Sequence, residues 1–230
     1  MPPWKDEQEM FALARRELFT AVVGDIMDGL GLRHQFLSPR LRPLGDGAPI
    51  VGRAMTVLEA DVFDPAPQGG NNAVLARPFG LMLEALDDLK LGEVYLCSGA
   101  STNYALWGEL MSTRAMKLGA AGAVVDGYHR DTEGIRSLGF PVFSYGPFAQ
   151  DQAPRGKVID FRVALEIAGT RVSPGDLVFA DVDGVCVVPR HSEEEVLVRA
   201  LEKARGEKLV KKAIESGMSA KAAFEKYGIM

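Results

Sequence analysis

Cysteine is scarce in this chain, with two residues, Cys97 and Cys186, in 230. Two thiols cannot build a disulfide framework or a cysteine zinc site. Both lie in apolar runs, Glu93–Cys97 and Gly184–Val188, and read as small buried hydrophobes. The three histidines, His34, His129 and His191, stand too far apart for a histidine-based zinc site. No apolar run approaches the ~18 residues of a transmembrane helix. The start, Met-Pro-Pro-Trp-Lys-Asp-Glu, is too polar for a secretory signal. The expectation is a cytoplasmic protein that does not enter a membrane. Basic excess is also lacking: a net charge of −5 leaves no electrostatic footprint for nucleic acid, though it permits a protein partner. There is no phosphate-binding G-x-x-x-x-G-K-[ST] loop, no G-x-S-x-G elbow and no H-E-x-x-H, and Gly119, Gly122 and Gly127 do not form a dinucleotide fingerprint. Lys117, on a polar helix face, is no candidate for Schiff-base chemistry.

What is present is ordinary globular material, 47% hydrophobic, with strands and helices alternating along the chain. Residues 7–19 have helical spacing, with Met10, Phe11, Leu13, Ala14 and Leu18 turned to the core. Thr20 is placed to cap a second helix, Ala21–Leu30. A loop at Arg33–Pro49 precedes a strand, Ile50–Glu59, and the polar connection Asp61–Asn72 is long enough to suggest a functional segment. Asn71 and Asn72 could cap a backbone or touch a substrate. A helix around Phe79–Leu89 leads to a strand at Glu93–Cys97. Later strands are expected at Lys157–Ala168, Asp176–Ala180 and Val185–Val188, with Asp181 and Asp183 in a hairpin turn between the last two. A helix, Ser192–Ser216, carries Ser192 as its cap and Glu193, Glu194 and Glu195 in its first turn, as the macrodipole favours. A further piece, Ser219–Lys226, follows. The alternation argues for an α/β core with added strands, read as one domain over residues 1–230, with helical arms at about 7–30 and 192–228.

The central stretch carries the chemistry. Trp107-Gly-Glu-Leu-Met opens a helix at Gly108–Glu109, Ala121–Val125 is a buried strand, Asp126–Asp131 a polar turn, and a second helix leads to a strand at Pro141–Ser144. The turn puts Arg130 beside Asp131 at the carboxyl end of a buried strand, where open α/β sheets place ligands. Arginine suits bidentate recognition of a carboxylate or oxo group, and aspartate suits a hard divalent cation. The free amides of the helix start at Gly108, Glu109, Leu110 and Met111 suit an anion. Asp126 before Gly127 reads as a turn former, and His129 could be a base.

These motifs, Trp107-Gly-Glu-Leu-Met, Gly122-Ala-Val-Val-Asp-Gly, Arg130-Asp131, Leu138-Gly-Phe-Pro-Val-Phe143, Pro174-Gly-Asp-Leu-Val and Asp181-Val-Asp-Gly-Val-Cys-Val-Val-Pro189, together with Thr20-Ala-Val-Val-Gly-Asp-Ile-Met27, resemble the RraA-like family. The family includes class II 4-hydroxy-4-methyl-2-oxoglutarate/4-carboxy-4-hydroxy-2-oxoadipate aldolases and regulators of ribonuclease E activity. The likeness runs from about residue 18 to about residue 215; Asp61–Asn72 departs from the family's usual segment and would reshape the mouth of the site.

The resemblance implies an α/β/β/α layered fold of the swivelling-domain type with a C-terminal helical arm. It also implies homotrimers, or homohexamers made from them, with sites at subunit interfaces. It assigns Mg²⁺, Mn²⁺ or another divalent metal to Asp131, and the substrate's oxo-acid end to Arg130. The pyruvyl carboxylate falls on the amides of Gly108–Met111. Glu109, with Glu207 from a neighbouring subunit, orients the water that moves protons. The implied reaction is retro-aldol cleavage of a 4-hydroxy-2-oxo acid to pyruvate through an enolate, with oxaloacetate decarboxylation as a side activity. The rivals are a non-catalytic protein-binding regulator and a lyase or decarboxylase acting on another 2-oxo acid at the same site.

Overall fold

A computed structural model describes residues 2–45, 49–63 and 71–229. In chain order the helices are α1 (Glu7–Glu17), α2 (Thr20–Gly29), α3 (Met82–Asp87), α4 (Glu109–Lys117), α5 (Thr132–Leu138), α6 (Glu193–Glu215) and α7 (Ala220–Tyr227). The strands are β1 (Arg42–Pro43), β2 (Ile50–Asp61), β3 (Glu93–Ser98), β4 (Ala105–Trp107), β5 (Gly122–Val125), β6 (Tyr128–His129) and β7 (Val142–Ser144), followed by β8 (Gly156–Phe161), β9 (Leu165–Ile167), β10 (Thr170–Val172), β11 (Leu177–Asp181) and β12 (Gly184–Val188).

The main sheet runs β1-β7-β5-β3-β2-β11-β12, with β8 also pairing β2. Its β2, β3, β5 and β7 are parallel, β11 pairs antiparallel with β2, and β12 pairs antiparallel with β11. Strands buried on both faces lose the polar alternation of a surface sheet, which is why Gly122–Val125 and Gly184–Val188 are unbroken apolar runs.

The sheet folds over itself, and three apolar interiors follow from the alternation of side chains along each strand. Val94, Leu96, Val124 and Phe143 face Val178, Ala180, Val185 and Val187 between its two halves. The opposite faces of β3 and β5, through Tyr95, Cys97, Ala123 and Val125, lie under α3, α4 and α5. Phe179, Cys186 and Val188 lie under α1, α2 and α6. This is the α/β/β/α order, closed by the long C-terminal helix α6.

Several local expectations change. Thr20 is the first residue of α2, not its cap; Phe19 holds that position, and the N–H and hydroxyl of Thr20 donate to Asp181 at 2.7 and 2.6 Å. Asp181 also accepts from Asp183 N–H at 3.0 Å, so one carboxylate shapes the expected hairpin turn and holds the start of a helix 161 residues away. The expected strand Lys157–Ala168 is two strands, β8 and β9. Arg162 breaks it with φ 55°, turning its guanidinium to Asp88 and to Glu93 (2.7 and 3.0 Å). Ser192 makes no capping hydrogen bond. Glu193 of that first turn pairs instead with Arg53, which also reaches Glu7, so one buried cation ties β2 to α1 and α6. β2 runs on to Asp61, whose carboxylate accepts from Ser101 N–H and the Tyr104 hydroxyl. Asn72 caps the turn that follows it. The rest of the connection, residues 64–70, lies outside the described residues.

Candidate active site

The site rests on a two-strand parallel pair, β4 with β6, which was not expected from the sequence. Trp107 pairs with His129, and Arg130 N–H donates to Trp107 C=O at 2.9 Å, so Gly108 and Arg130–Asp131 leave the pair side by side. Trp107 anchors the arrangement. It is buried, donates its indole N–H to Ser112 Oγ at 2.7 Å, and packs on Tyr95 and Phe140 with ring centroids 4.9 and 6.2 Å away. Gly108 stands at the head of α4, and a Cβ there would lie 2.7 Å from Asp131 Oδ2, so any larger residue would displace that carboxylate.

Asp131 sits at the head of α5 in the left-handed region, φ 58° and ψ 39°. A non-glycine residue held there costs about 1–3 kcal/mol. Its Oδ2 accepts the N–H of Glu109 at 3.2 Å, and Arg130 Nε lies 3.8 Å from the same oxygen. Arg130 Nη1 reaches Asp151 Oδ1 at 2.9 Å. These side chains are roughly half exposed, so the pair contributes at most ~1 kcal/mol and opens readily to a ligand.

They line a cleft of about 300 Å³. Its lining is polar at Gly108, Arg130, Asp131, Asp151 and Gln152 and apolar at Phe79, Met82, Leu83, Leu86, Leu106 and Met111. Leu110, also in the lining, is 83% exposed. Gln152 continues inward and donates to Glu59 Oε2 at 2.7 Å. Glu59 is completely enclosed, and burial pushes its carboxyl up to about 8, so it is neutral at pH 7.

The expected residues Gly108, Leu110, Met111, Arg130 and Asp131 therefore meet in one cleft. Glu109 contributes its backbone N–H, but its carboxylate lies against Gly134 of α5. Glu207 is on α6, 3.7 Å from Lys203, beside Val210 and Ile214 and away from the cleft of its own chain. His129 is not a free base. Its ring is buried between Ser144 Oγ (2.6 Å) and Thr132 Oγ1 (3.1 Å), and burial lowers its pKa. Asp126 holds the turn by accepting from Ser98 and Tyr145. Sequence reasoning missed Asp151, Gln152 and Glu59. The first two lie in a loop without periodicity, brought in when Ala105 N–H bonds Gln150 C=O at 2.8 Å.

Among the described residues no cluster of three or more His, Cys, Asp or Glu is placed to enclose a metal. The site does fit a hard cation held by one or two carboxylates and water, since Asp131 and Asp151 share the cleft and the missing Cβ at Gly108 leaves Asp131 Oδ2 approachable.

The cleft thus brings an aspartate in the left-handed region, an arginine and the start of a helix together in an α/β/β/α frame. The Aldolase/RraA model of the RraA-like family matches residues 20–187, and the chain belongs to that family. It is 30% identical to a Halalkalibacterium halodurans protein provisionally named a 4-hydroxy-4-methyl-2-oxoglutarate aldolase, over 91% of this chain and 90% of the relative. It is 29% identical to protein DlpA of Legionella pneumophila over 90% of this chain, and spans 32% of that longer protein. An uncharacterised protein of Pseudomonas syringae pv. tomato superposes with TM-score 0.83 at 28% identity, over 98% of both chains.

Proposed function

We propose that the chain is a divalent-metal-dependent lyase that cleaves a 4-hydroxy-2-oxo acid, of the 4-hydroxy-4-methyl-2-oxoglutarate type, to pyruvate by retro-aldol chemistry. The observation that carries this reading is the convergence of Arg130, Asp131 and the start of α4 in one cleft. The aldolase names among the relatives support it.

Asp131 is the residue to hold the cation, Mg²⁺ or Mn²⁺, which when bound supplies Lewis-acid stabilisation of the charge that carbon–carbon cleavage leaves on the pyruvyl half. The amides of Leu110 and Met111, in the first turn of α4, have no intrahelical acceptor and take the substrate carboxylate. Arg130 exchanges Asp151 for the substrate and places positive charge where the enolate forms. The C4 hydroxyl loses its proton, C4 becomes a carbonyl, the C3–C4 electron pair passes into the enolate, and protonation at C3 completes pyruvate. Asp151 is the carboxylate that this chain itself brings to the cleft beside Asp131. Glu109 and, from a neighbouring copy in a homotrimer or homohexamer, Glu207 orient the water that carries these protons. Decarboxylation of oxaloacetate passes through the same enolate.

The test is pyruvate release from 4-hydroxy-4-methyl-2-oxoglutarate, oxaloacetate and 4-hydroxy-2-oxohexanoate, with Mg²⁺ and with EDTA. Asparagine tolerates the left-handed backbone at 131, so Asp131→Asn isolates the charge. Metal-dependent release is expected, falling at least ~1000-fold in the variant, the size of a lost group that acts in the transition state. No release from any of the three, or full activity in Asp131→Asn, overturns the reading.

A further inference from the structure

Two consecutive residues of the cleft take different partners. Asp151 pairs with Arg130 at 2.9 Å, whereas the Gln152 side chain runs inward and donates from Nε2 to Glu59 Oε2 at 2.7 Å. Gln152 is 5% exposed and Glu59 1%, yet Gln152 still lines the cleft. Its main chain is held as well, because Gln152 C=O accepts from Arg155 N–H at 2.7 Å and from Gly156 N–H at 2.9 Å. The amide is therefore fixed before any ligand arrives. Its support is costly. An enclosed carboxyl loses its hydration, and Glu59 recovers the Gln152 hydrogen bond on Oε2 while Oε1 has no partner among the described residues. Replacing such a pair by apolar residues of like shape is often nearly neutral. What the pair supplies that they cannot is a hydrogen-bonding group held at the surface of the cleft. With one N–H taken by Glu59, the amide keeps a second N–H and its carbonyl oxygen, and a donor beside an acceptor matches a hydroxyl group. In the retro-aldol reaction that group is the C4 hydroxyl, next along the substrate from the oxo-acid end at Arg130 and α4.

We propose that Gln152 donates its second amide N–H to the C4 oxygen of the substrate, with Glu59 as the positioning residue that holds the amide in place. The inference rests on the lyase reading for the chemistry and on the Glu59–Gln152 contact for the residues. Both are buried within one chain, so the contact does not depend on how copies assemble. An N–H aimed at the C4 oxygen stays favourable while the hydroxyl proton leaves and the C4–O bond becomes a carbonyl. Oxaloacetate instead has a carboxylate at C4, which loses its charge as CO2 departs, so the same N–H gives decarboxylation no help. The two reactions share an enolate and differ at this contact.

The experiment measures kcat/KM with Mg²⁺ for cleavage of 4-hydroxy-4-methyl-2-oxoglutarate and for decarboxylation of oxaloacetate. Gln152→Ala is expected to lower cleavage at least ~10-fold more than decarboxylation, as the loss of a donor to the reacting oxygen does. Glu59→Leu, which removes the carboxyl and leaves the Gln152 amide unheld, is expected to shift the ratio the same way. Glu59→Gln, whose amide oxygen still accepts from Nε2, is expected to restore it. In parallel, calorimetry compares 2,4-dihydroxyglutarate with 2-hydroxyglutarate, which lack the oxo group and are not cleaved. The unaltered protein with Mg²⁺ is expected to bind the dihydroxy acid ~5-fold more tightly, and Gln152→Ala to bind the two alike. Equal falls in both reactions, or no fall in either, overturn the inference and leave the lyase reading standing. If neither acid is turned over, the lyase reading fails and calorimetry decides. A hydroxyl preference lost in Gln152→Ala upholds the contact; no preference in the unaltered protein, or one that survives the substitution, overturns it.

Discussion

The two outer helical layers bury very different material. Beneath α1, α2 and α6 the packing is apolar: Met10, Val22, Val23, Phe179, Leu197 and Leu201 are all 5% exposed or less, and charge enters at the rim through Arg53. Beneath α3, α4 and α5 an equally dense apolar cluster is threaded with buried polar groups, Glu59, Ser112, His129, Gln152 and Lys157. Some of these atoms, Glu59 Oε1 and Tyr95 Oη among them, have no hydrogen-bonding partner. A buried polar atom costs free energy unless it is bonded. One layer holds the fold together. The other gives up some stability to support a cleft.

That contrast can be broken. Leu201→Ala in the apolar layer opens a cavity under α6 and is expected to cost about 2–5 kcal/mol of stability, read by denaturant unfolding, with kcat unchanged. A matching loss of kcat would show that the layers are not independent. Glu59→Gln tests the opposite layer. The folded pKa of Glu59, about 8, lies above its ordinary 4.5, so its contribution is fully present below pH 4.5 and is lost as pH rises through 8. Glutamine keeps an acceptor for Gln152 and removes the titration. The variant should therefore flatten the pH dependence of stability between 4.5 and 8 and gain up to a few kcal/mol above pH 8 relative to the unaltered protein. An unchanged slope between those pH values would place the proton elsewhere. The smallest expected effect is that of Gly108→Ala. Its Cβ would sit 2.7 Å from Asp131 Oδ2, so the carboxylate must shift, and kcat/KM should fall ~10- to 100-fold as a small displacement of a reacting group does, while the melting temperature hardly moves. Unchanged kcat/KM would mean that Asp131 has room to move without consequence.

Much of the site was legible because its parts are local. Arg130 and Asp131 are adjacent, they follow the unbroken apolar run Gly122–Val125, and Gly108 precedes a helical spacing; each is a pattern within one element. Asp151, Gln152 and Glu59 were not legible, because a loop aspartate and a strand glutamate look the same in a sequence whether or not they meet. Thr20 shows the same limit from the other side. Its position beside a helix start read as a cap, but the carboxylate that holds that start comes from Asp181. Nor could periodicity separate β8 from β9, since the break at Arg162 is enforced by ion pairs to Asp88 and Glu93 across the sheet.

By itself the sequence determined an α/β core with added strands, the order of the helices and the longer strands, and the arginine–aspartate pair at a strand's end; the α/β/β/α layering was what the family resemblance implied. Hydrophobic periodicity, caps and turns are short-range, and they act before the chain has met itself. Tertiary structure alone decided that Trp107 would lie beside His129, that Asp151 would face Arg130, that Glu59 would be sealed off neutral, and that leucines and methionines would line the same cleft. Those outcomes depend on which distant surfaces exclude water together, and burial of that kind exists only once the layers have closed.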